Sequence, residues 1–376
     1  MTGRIKNGLV LSGGGAKGAY EVGVIKALAK FGYEPEVVSG ASIGSLNAAI
    51  VASSPTMEEA ADVLEAVWGG LTRMEVLQEN PTFRDRMESM YMLYVLIHTL
   101  VGMQPAKVSL HTVFRQVCKS VASRVTWPGR IVRMVLDREP AAVLDNQPLL
   151  EILRESVDFH ELTSGDARTL YVSAYPGTEI SRLPWFGAFF DIGRYIIKKD
   201  DSEFFCLQGL SAEEAEARLM ASAAIPFLFK GVEIDGKTYR DGGMGDRVKE
   251  QGNTPVKPLV DAGCTHAVVV MLSQGALWDR NEWPDLVPLE IRPSCDIGEG
   301  LKAMLKFEPA FIDELIKRGE EDATRSIGTF VEAHGELNAL RDADRDLRKT
   351  MNDLMRPDAD YDDAMNAIRR DNAGGD

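Results

Sequence analysis

Histidine and cysteine are scarce in this chain of 376 residues, which holds five of the first and four of the second. Cys118, Cys206, Cys264 and Cys295 are too scattered for a zinc motif and too few for a dense disulfide framework, so they read as reduced thiols. No histidine or carboxylate cluster has ligand spacing, and no metal site is expected. No apolar run reaches the roughly 18 residues of a membrane-spanning helix. Met1 to Lys6 is not a basic region leading into an apolar segment, so no Sec signal peptide is expected. The expected location is cytoplasmic or peripheral at a membrane; secretion by a signal-less route leaves no trace in a sequence. Basic charge is also short, with 42 Lys and Arg against 57 Asp and Glu, a net charge of -15. That balance speaks against nucleic acid as a partner, because phosphate binding needs basic surface.

The charge that is present is uneven. Residues 308–376 carry 18 acidic and 10 basic side chains, whereas residues 69–140 carry 10 basic and 6 acidic ones. Gly8 to Leu11 is a short apolar run followed by glycines, then by Ala19 to Lys30 with Val22, Ile25 and Leu28 at helical spacing. Val37 and Val38 lead into Gly40, and Ser45 to Ala52 resumes as a small-residue helix. Further strands are expected at Leu170 to Ala174 and Ala267 to Leu272. Ser211 with Glu214 has capping-box spacing, and Val232 to Tyr239 reads as a hairpin around Asp235-Gly236. The expected class is α/β, with a mostly parallel sheet flanked by helices. A helical insertion is expected at about 69–145 within a catalytic domain spanning 1–275, and a helical region with a polar tail over 276–376.

Three features carry chemistry. Gly40-Ala41-Ser42-Ile43-Gly44 fits G-x-S-x-G, whose glycines permit the sharp strand-to-helix turn that exposes a nucleophilic serine; an ordinary glycine turn is the plain alternative. Gly13-Gly14-Gly15-Ala16-Lys17-Gly18 can aim amides at an anion, as a phosphate loop, an oxyanion hole or merely a tight turn. The P-loop reading fails because Lys17 is followed by Gly18. Gly13, Gly15 and Gly18 satisfy the dinucleotide pattern G-x-G-x-x-G, with Glu34 or Glu36 about 20 residues on. Those acids precede the second strand instead of ending it, which favours the oxyanion hole. Asp241-Gly242-Gly243, just beyond the hairpin, places a carboxylate on a freed backbone, although a surface turn would look the same.

Taken in this order, together with Ser222 to Phe227 (S-A-A-I-P-F), the motifs resemble those of the patatin-like phospholipase family over roughly Asn7 to Ser273. The resemblance implies a patatin-like layered fold and a metal-independent lipid acyl hydrolase with no cofactor. It implies Ser42 as nucleophile, Asp241 as general base and amides of Gly13, Gly14 and Gly15 as the oxyanion hole. Lys17, Gly18, Gly40, Gly44, Gly242 and Gly243 complete the motifs. One departure is that Met244 to Gly252 intervenes before Asn253-Thr254-Pro255-Val256, where the family has a shorter link. A Ser-Asp-His order would need His266 or His334, for which structural or surface roles are expected. The substrate implied is a phospholipid or related lipid, for which transient contact with a membrane surface is an open route; the sequence does not say whether a protein activator is needed. Met90 to Met103, apolar nearly all round, reads as a buried core helix or a membrane-facing cap, and Leu183 to Lys199 sets aromatics beside lysines as interfaces do. The alternatives from other classes are a catalytically idle lipid-binding protein of the same fold and a dinucleotide-binding oxidoreductase.

Overall fold

The computed structural model describes residues 4–71, 147–177, 201–225, 229, 231–245, 251–274, 278–298, 303–304, 306–355 and 365–366. The stretches 90–103 and 183–199, and the expected insertion beyond residue 71, lie outside the described residues.

In chain order the elements begin β1 (Asn7–Leu11), α1 (Ala19–Lys30), β2 (Val37–Gly40), α2 (Ile43–Ser53) and α3 (Met57–Leu71). Next come α4 (Gln147–Ser156), α5 (Phe159–Thr163), β3 (Thr169–Pro176), β4 (Glu203–Cys206) and α6 (Ala212–Ser222). The rest are β5 (Val232–Ile234), β6 (Lys237–Asp241), α7 (Lys257–Asp261), β7 (His266–Val270), β8 (Val287–Ile291) and α8 (Pro309–Met355). The sheet runs β5-β6-β3-β2-β1-β7-β8, with β4 also paired to β3. β3, β2, β1, β7 and β8 are mutually parallel, and the β3–β4, β3–β6 and β5–β6 pairs are antiparallel.

The central strands are continuous apolar runs because both faces of the sheet are covered. Val10, Val37, Ala267 and Val269 pack with Val256 and Leu259 beside α7. Their neighbours Leu9, Leu11, Val38, Val268 and Val270 project to the opposite face by the two-residue period of a strand, and all are buried. α2 is buried at every position from Gly44 to Ser53, so its sequence shows no polar face. α6 opens with the expected capping box: Ser211 Oγ accepts from the Glu214 amide at 3.2 Å and Glu214 Oε2 accepts from the Ser211 amide at 2.9 Å.

The chain divides into a large unit, Met1–Thr324, and a small one, Arg325–Asp376. β8 and the first turns of α8 therefore belong to the large unit, which runs past residue 275. In that unit α8 crosses α1 at a glycine contact. A Cβ on Gly23 would collide with the Ile316 carbonyl, and one on Gly319 with the Tyr20 carbonyl. Tyr20 Oη donates to Asp322 at 3.2 Å beside the crossing. Gly319→Leu is expected to cost about 1–3 kcal/mol or more by forcing the helices apart. A urea titration read by far-UV dichroism checks this; an unchanged midpoint would contradict it.

Candidate active site

The carboxyl ends of β1, β2 and β6 deliver the three motifs to one place. Gly40 at the end of β2 is level with Val172 on β3, and Ala174, two residues further along β3, is level with Asp241 at the end of β6. Ser42 follows two residues beyond Gly40, and register sets the ends of β2 and β6 within two residues of the same height along β3. β1 ends at Leu11, opposite Gly40, and releases the glycine loop along the same edge.

Ser42 has φ 52° and ψ -128°, a conformation in which an L side chain is strained. The motif glycines make that turn sterically possible. A Cβ on Gly40 would lie 2.5 Å from the Gly44 carbonyl, and one on Gly44 would lie 2.5 Å from the Leu11 carbonyl. The turn is pinned from outside by the Ser42 amide donating to Ser222 Oγ at 3.1 Å and by Ser45 Oγ donating to the Ser42 carbonyl at 2.6 Å. Ser42 is 4% exposed and caps the N-terminus of α2, the positive end of that helix dipole.

Asp241 is 7% exposed, and burial pushes its carboxyl up to about 6. The Ser42 hydroxyl and the Gly243 amide pull in the opposite direction and moderate the rise. Oδ1 accepts from the Gly243 amide at 2.9 Å. Oδ2 is fully enclosed and has no partner at hydrogen-bond geometry among the described residues. Ser42 is thus near enough to stabilise the carboxylate without being aligned on Oδ2. The Asp241 amide donates to the Ala224 carbonyl at 3.0 Å, which gives the S-A-A segment a place in the site.

The glycine loop divides its amides. Gly13 N–H donates to the main-chain carbonyl of Asn253 at 3.2 Å, whereas the amides of Gly14 and Gly15 have no acceptor among the described residues. Lys17 is not poised over the cleft, since its Nζ donates to the Leu272 carbonyl at 3.0 Å and so ties the loop to the end of β7. Gly18 packs on Ile43 and Trp68, and its carbonyl accepts from Asn47 at 3.2 Å. Gly242 abuts Ser173, so the D-G-G turn lies flat on β3. Gly243 faces the Asn253 side chain.

Several supporting residues escape a motif search. Glu21 is fully buried on α1, and burial raises its carboxyl well above the ordinary range, against the opposing effects of Asn47 and the Ser12 amide. Asn47 Nδ2 donates to Glu21 at 2.8 Å while Asn47 Oδ1 accepts from Trp68 Nε1 at 3.1 Å, joining α1, α2 and α3 beneath the loop. Ser12 Oγ meets Thr254 Oγ1 at 2.9 Å and donates to the Val270 carbonyl at 2.7 Å. His266 pairs with Asn7 at the start of β1, the far end of the sheet from Ser42. No group of three or more potential metal ligands occurs among the described residues.

Residues 9–252 match the family model described as patatin-like phospholipase. A segment of 48 residues is 52% identical to a patatin-like phospholipase domain-containing protein, ZK370.4, of Caenorhabditis elegans, covering 13% of this chain and 4% of that protein. Over 45 residues the chain is 53% identical to lysophospholipase nte1 of Aspergillus terreus, covering 12% of this chain and 3% of that protein. Among solved structures, VipD from Legionella pneumophila is 13% identical with a TM-score of 0.38, over 87% of this chain and 67% of that one. The ExoU–SpcU complex of Pseudomonas aeruginosa is 16% identical with a TM-score of 0.33, over 86% and 51%. With the family model covering more than half its length, and with the serine turn, glycine loop and aspartate turn meeting at one sheet edge, the chain belongs to the patatin-like phospholipase family.

Proposed function

We propose that the chain hydrolyses acyl esters of phospholipids or lysophospholipids through a Ser42–Asp241 dyad and an acyl-enzyme. The observation that carries this reading is a strained, buried serine beside a buried carboxylate whose proton affinity is tuned to about 6. An ordinary aspartate is too weak a base to activate a serine hydroxyl, and burial strengthens it. Asp241 takes the Ser42 proton as Oγ attacks the ester carbonyl. The negative charge that develops on the carbonyl oxygen is met by amides of the glycine loop and by the α2 N-terminus. Collapse breaks the bond to the alcohol, which leaves with the proton held by Asp241. Water then attacks the acyl-Ser42 ester and returns its proton through Asp241 to Ser42, releasing the fatty acid.

The family match and the lysophospholipase among the relatives support a lipid ester as substrate. No helix among the described residues is long and apolar enough to cross a membrane, and the proposed encounter is transient contact at a lipid surface. Fatty-acid release from phosphatidylcholine vesicles, lysophosphatidylcholine micelles and a short-chain nitrophenyl ester tests the reading. Release from the lipids by the wild-type chain and none by Ser42→Ala is the expected result. Vesicle binding with no release from any of the three would instead favour an idle lipid-binding protein.

A further inference from the structure

The S-A-A segment at the end of α6 takes no part in the proton transfer, yet it grips both residues that do. Ser222 Oγ accepts from the Ser42 amide at 3.1 Å, and two residues further on the Ala224 carbonyl accepts from the Asp241 amide at 3.0 Å. The segment is itself anchored. The amides of Ala223 and Ala224 donate back into α6, to the carbonyls of Leu219 and Ala221 at 3.2 Å each. Ala221 and Ser222 are fully buried, and Ala221 packs with Ala174, Ile234 and Tyr239.

Ser42 stands at φ 52° and ψ -128°, and an L residue keeps such a conformation only where its surroundings enforce it. Its two main-chain sides are held differently. The carbonyl is held from within α2, by the Ser45 amide at 2.9 Å and Ser45 Oγ at 2.6 Å. The amide is held by Ser222 Oγ, which belongs to another element 180 residues away. The other end of the same peptide unit, the Ala41 carbonyl, lies beside the glycine loop, 3.4 Å from where a Cβ on Gly13 would stand. Rotation of this peptide would therefore displace the nucleophile and drive a carbonyl against the loop, and the Ser222 hydroxyl opposes it. Ser222 Oγ makes no other hydrogen bond among the described residues.

We propose that Ser222 is a positioning residue for the nucleophile, its hydroxyl fixing the Ala41–Ser42 peptide so that Ser42 Oγ is set against both Asp241 and the glycine loop. The proposal rests on the reading of Ser42 as nucleophile, and it gives Ser222 no contact with substrate. Asp241 is held through the main chain of Ala224, so a change of the Ser222 side chain leaves the base in place.

Ser222→Ala, assayed on a soluble nitrophenyl ester, should lower kcat about 10²-fold with KM little changed, the loss expected when a reacting atom is misplaced by about an ångström. Fluorophosphonate labelling of Ser42 should slow in parallel, and the pH midpoint of kcat/KM should stay at the wild-type value. Ser222→Thr and Ser222→Val add the same bulk, but only threonine keeps the acceptor, so the threonine variant should turn over about tenfold faster than the valine variant or more. Near-UV dichroism confirms the fold of each variant. Wild-type kcat in a folded Ser222→Ala variant, or equal turnover in the threonine and valine variants, would overturn the proposal. So would a displaced pH midpoint with full activity recovered at the new optimum, because Ser222 would then act on Asp241. A wild-type chain that neither turns over nor labels would remove the hydrolase reading and this proposal together, whereas an active wild type with unaffected variants removes this one alone.

Discussion

Ser42→Ala and Asp241→Asn should each lower esterase turnover by about 10³-fold or more, with the double variant no worse than either single one. The losses do not add because the two side chains perform one proton transfer, and removing either member disables it. Neither substitution should disturb the fold. Ser42 holds its turn through main-chain atoms, with its amide on Ser222 and its carbonyl on Ser45, and alanine keeps both bonds. Asparagine keeps the shape of Asp241 and an oxygen for the Gly243 amide. Turnover measured beside near-UV dichroism tests both points. A well-folded Asp241→Asn variant with more than a tenth of wild-type activity would contradict the dyad.

The second large effect is on pH. Because Asp241 acts ionised and titrates near 6, kcat/KM should fall about tenfold per pH unit below that value and level off above it. The same displacement has a stability cost of known sign. A carboxyl raised from 3.8 to about 6 on folding binds its proton more tightly in the native state. The native state therefore loses stability as pH rises from about 4 to 6, by on the order of 3 kcal/mol once Asp241 is ionised. Asp241→Asn removes that penalty. The variant should be more stable than wild type at pH 7 to 8, with the advantage fading to nothing by about pH 4. Comparing the two proteins cancels Glu21 and other acids common to both. Denaturant midpoints across this range are the check, and a variant less stable at pH 8 than wild type would place the Asp241 charge in a favourable environment instead. A stabilised but inactive variant is the signature of a site that sacrifices stability for chemistry.

Much of the site was legible because its residues act through backbone geometry that few sequences satisfy. Gly40 and Gly44 are required by contacts under 3 Å, so G-x-S-x-G announces the turn at Ser42. β1, β2, β3 and β7 were readable as buried apolar runs. β8 was not, since Pro288 interrupts Val-Pro-Leu-Glu-Ile and argues against a strand; the sheet tolerates it there because β8 is an edge. β4 is only four residues long and half exposed, too short for a periodic signal. The division of labour within the glycine loop was invisible for another reason. The carbonyl that engages Gly13 comes from Asn253, 240 residues away, and no local pattern reports a contact of that range. Glu21 and Asn47 were hidden similarly, as polar residues inside helices whose burial depends on three elements meeting.

Whether Ser42 is a nucleophile activated by Asp241 is decided by reacting the chain with a fluorophosphonate and locating the adduct by intact mass and peptide mapping. One phosphonyl group per chain is expected, on Ser42, formed with a rate that rises with pH through about 6 and collapses in Asp241→Asn. An adduct on another serine, or Ser42 labelling that is unchanged in a folded Asp241→Asn variant, would contradict it.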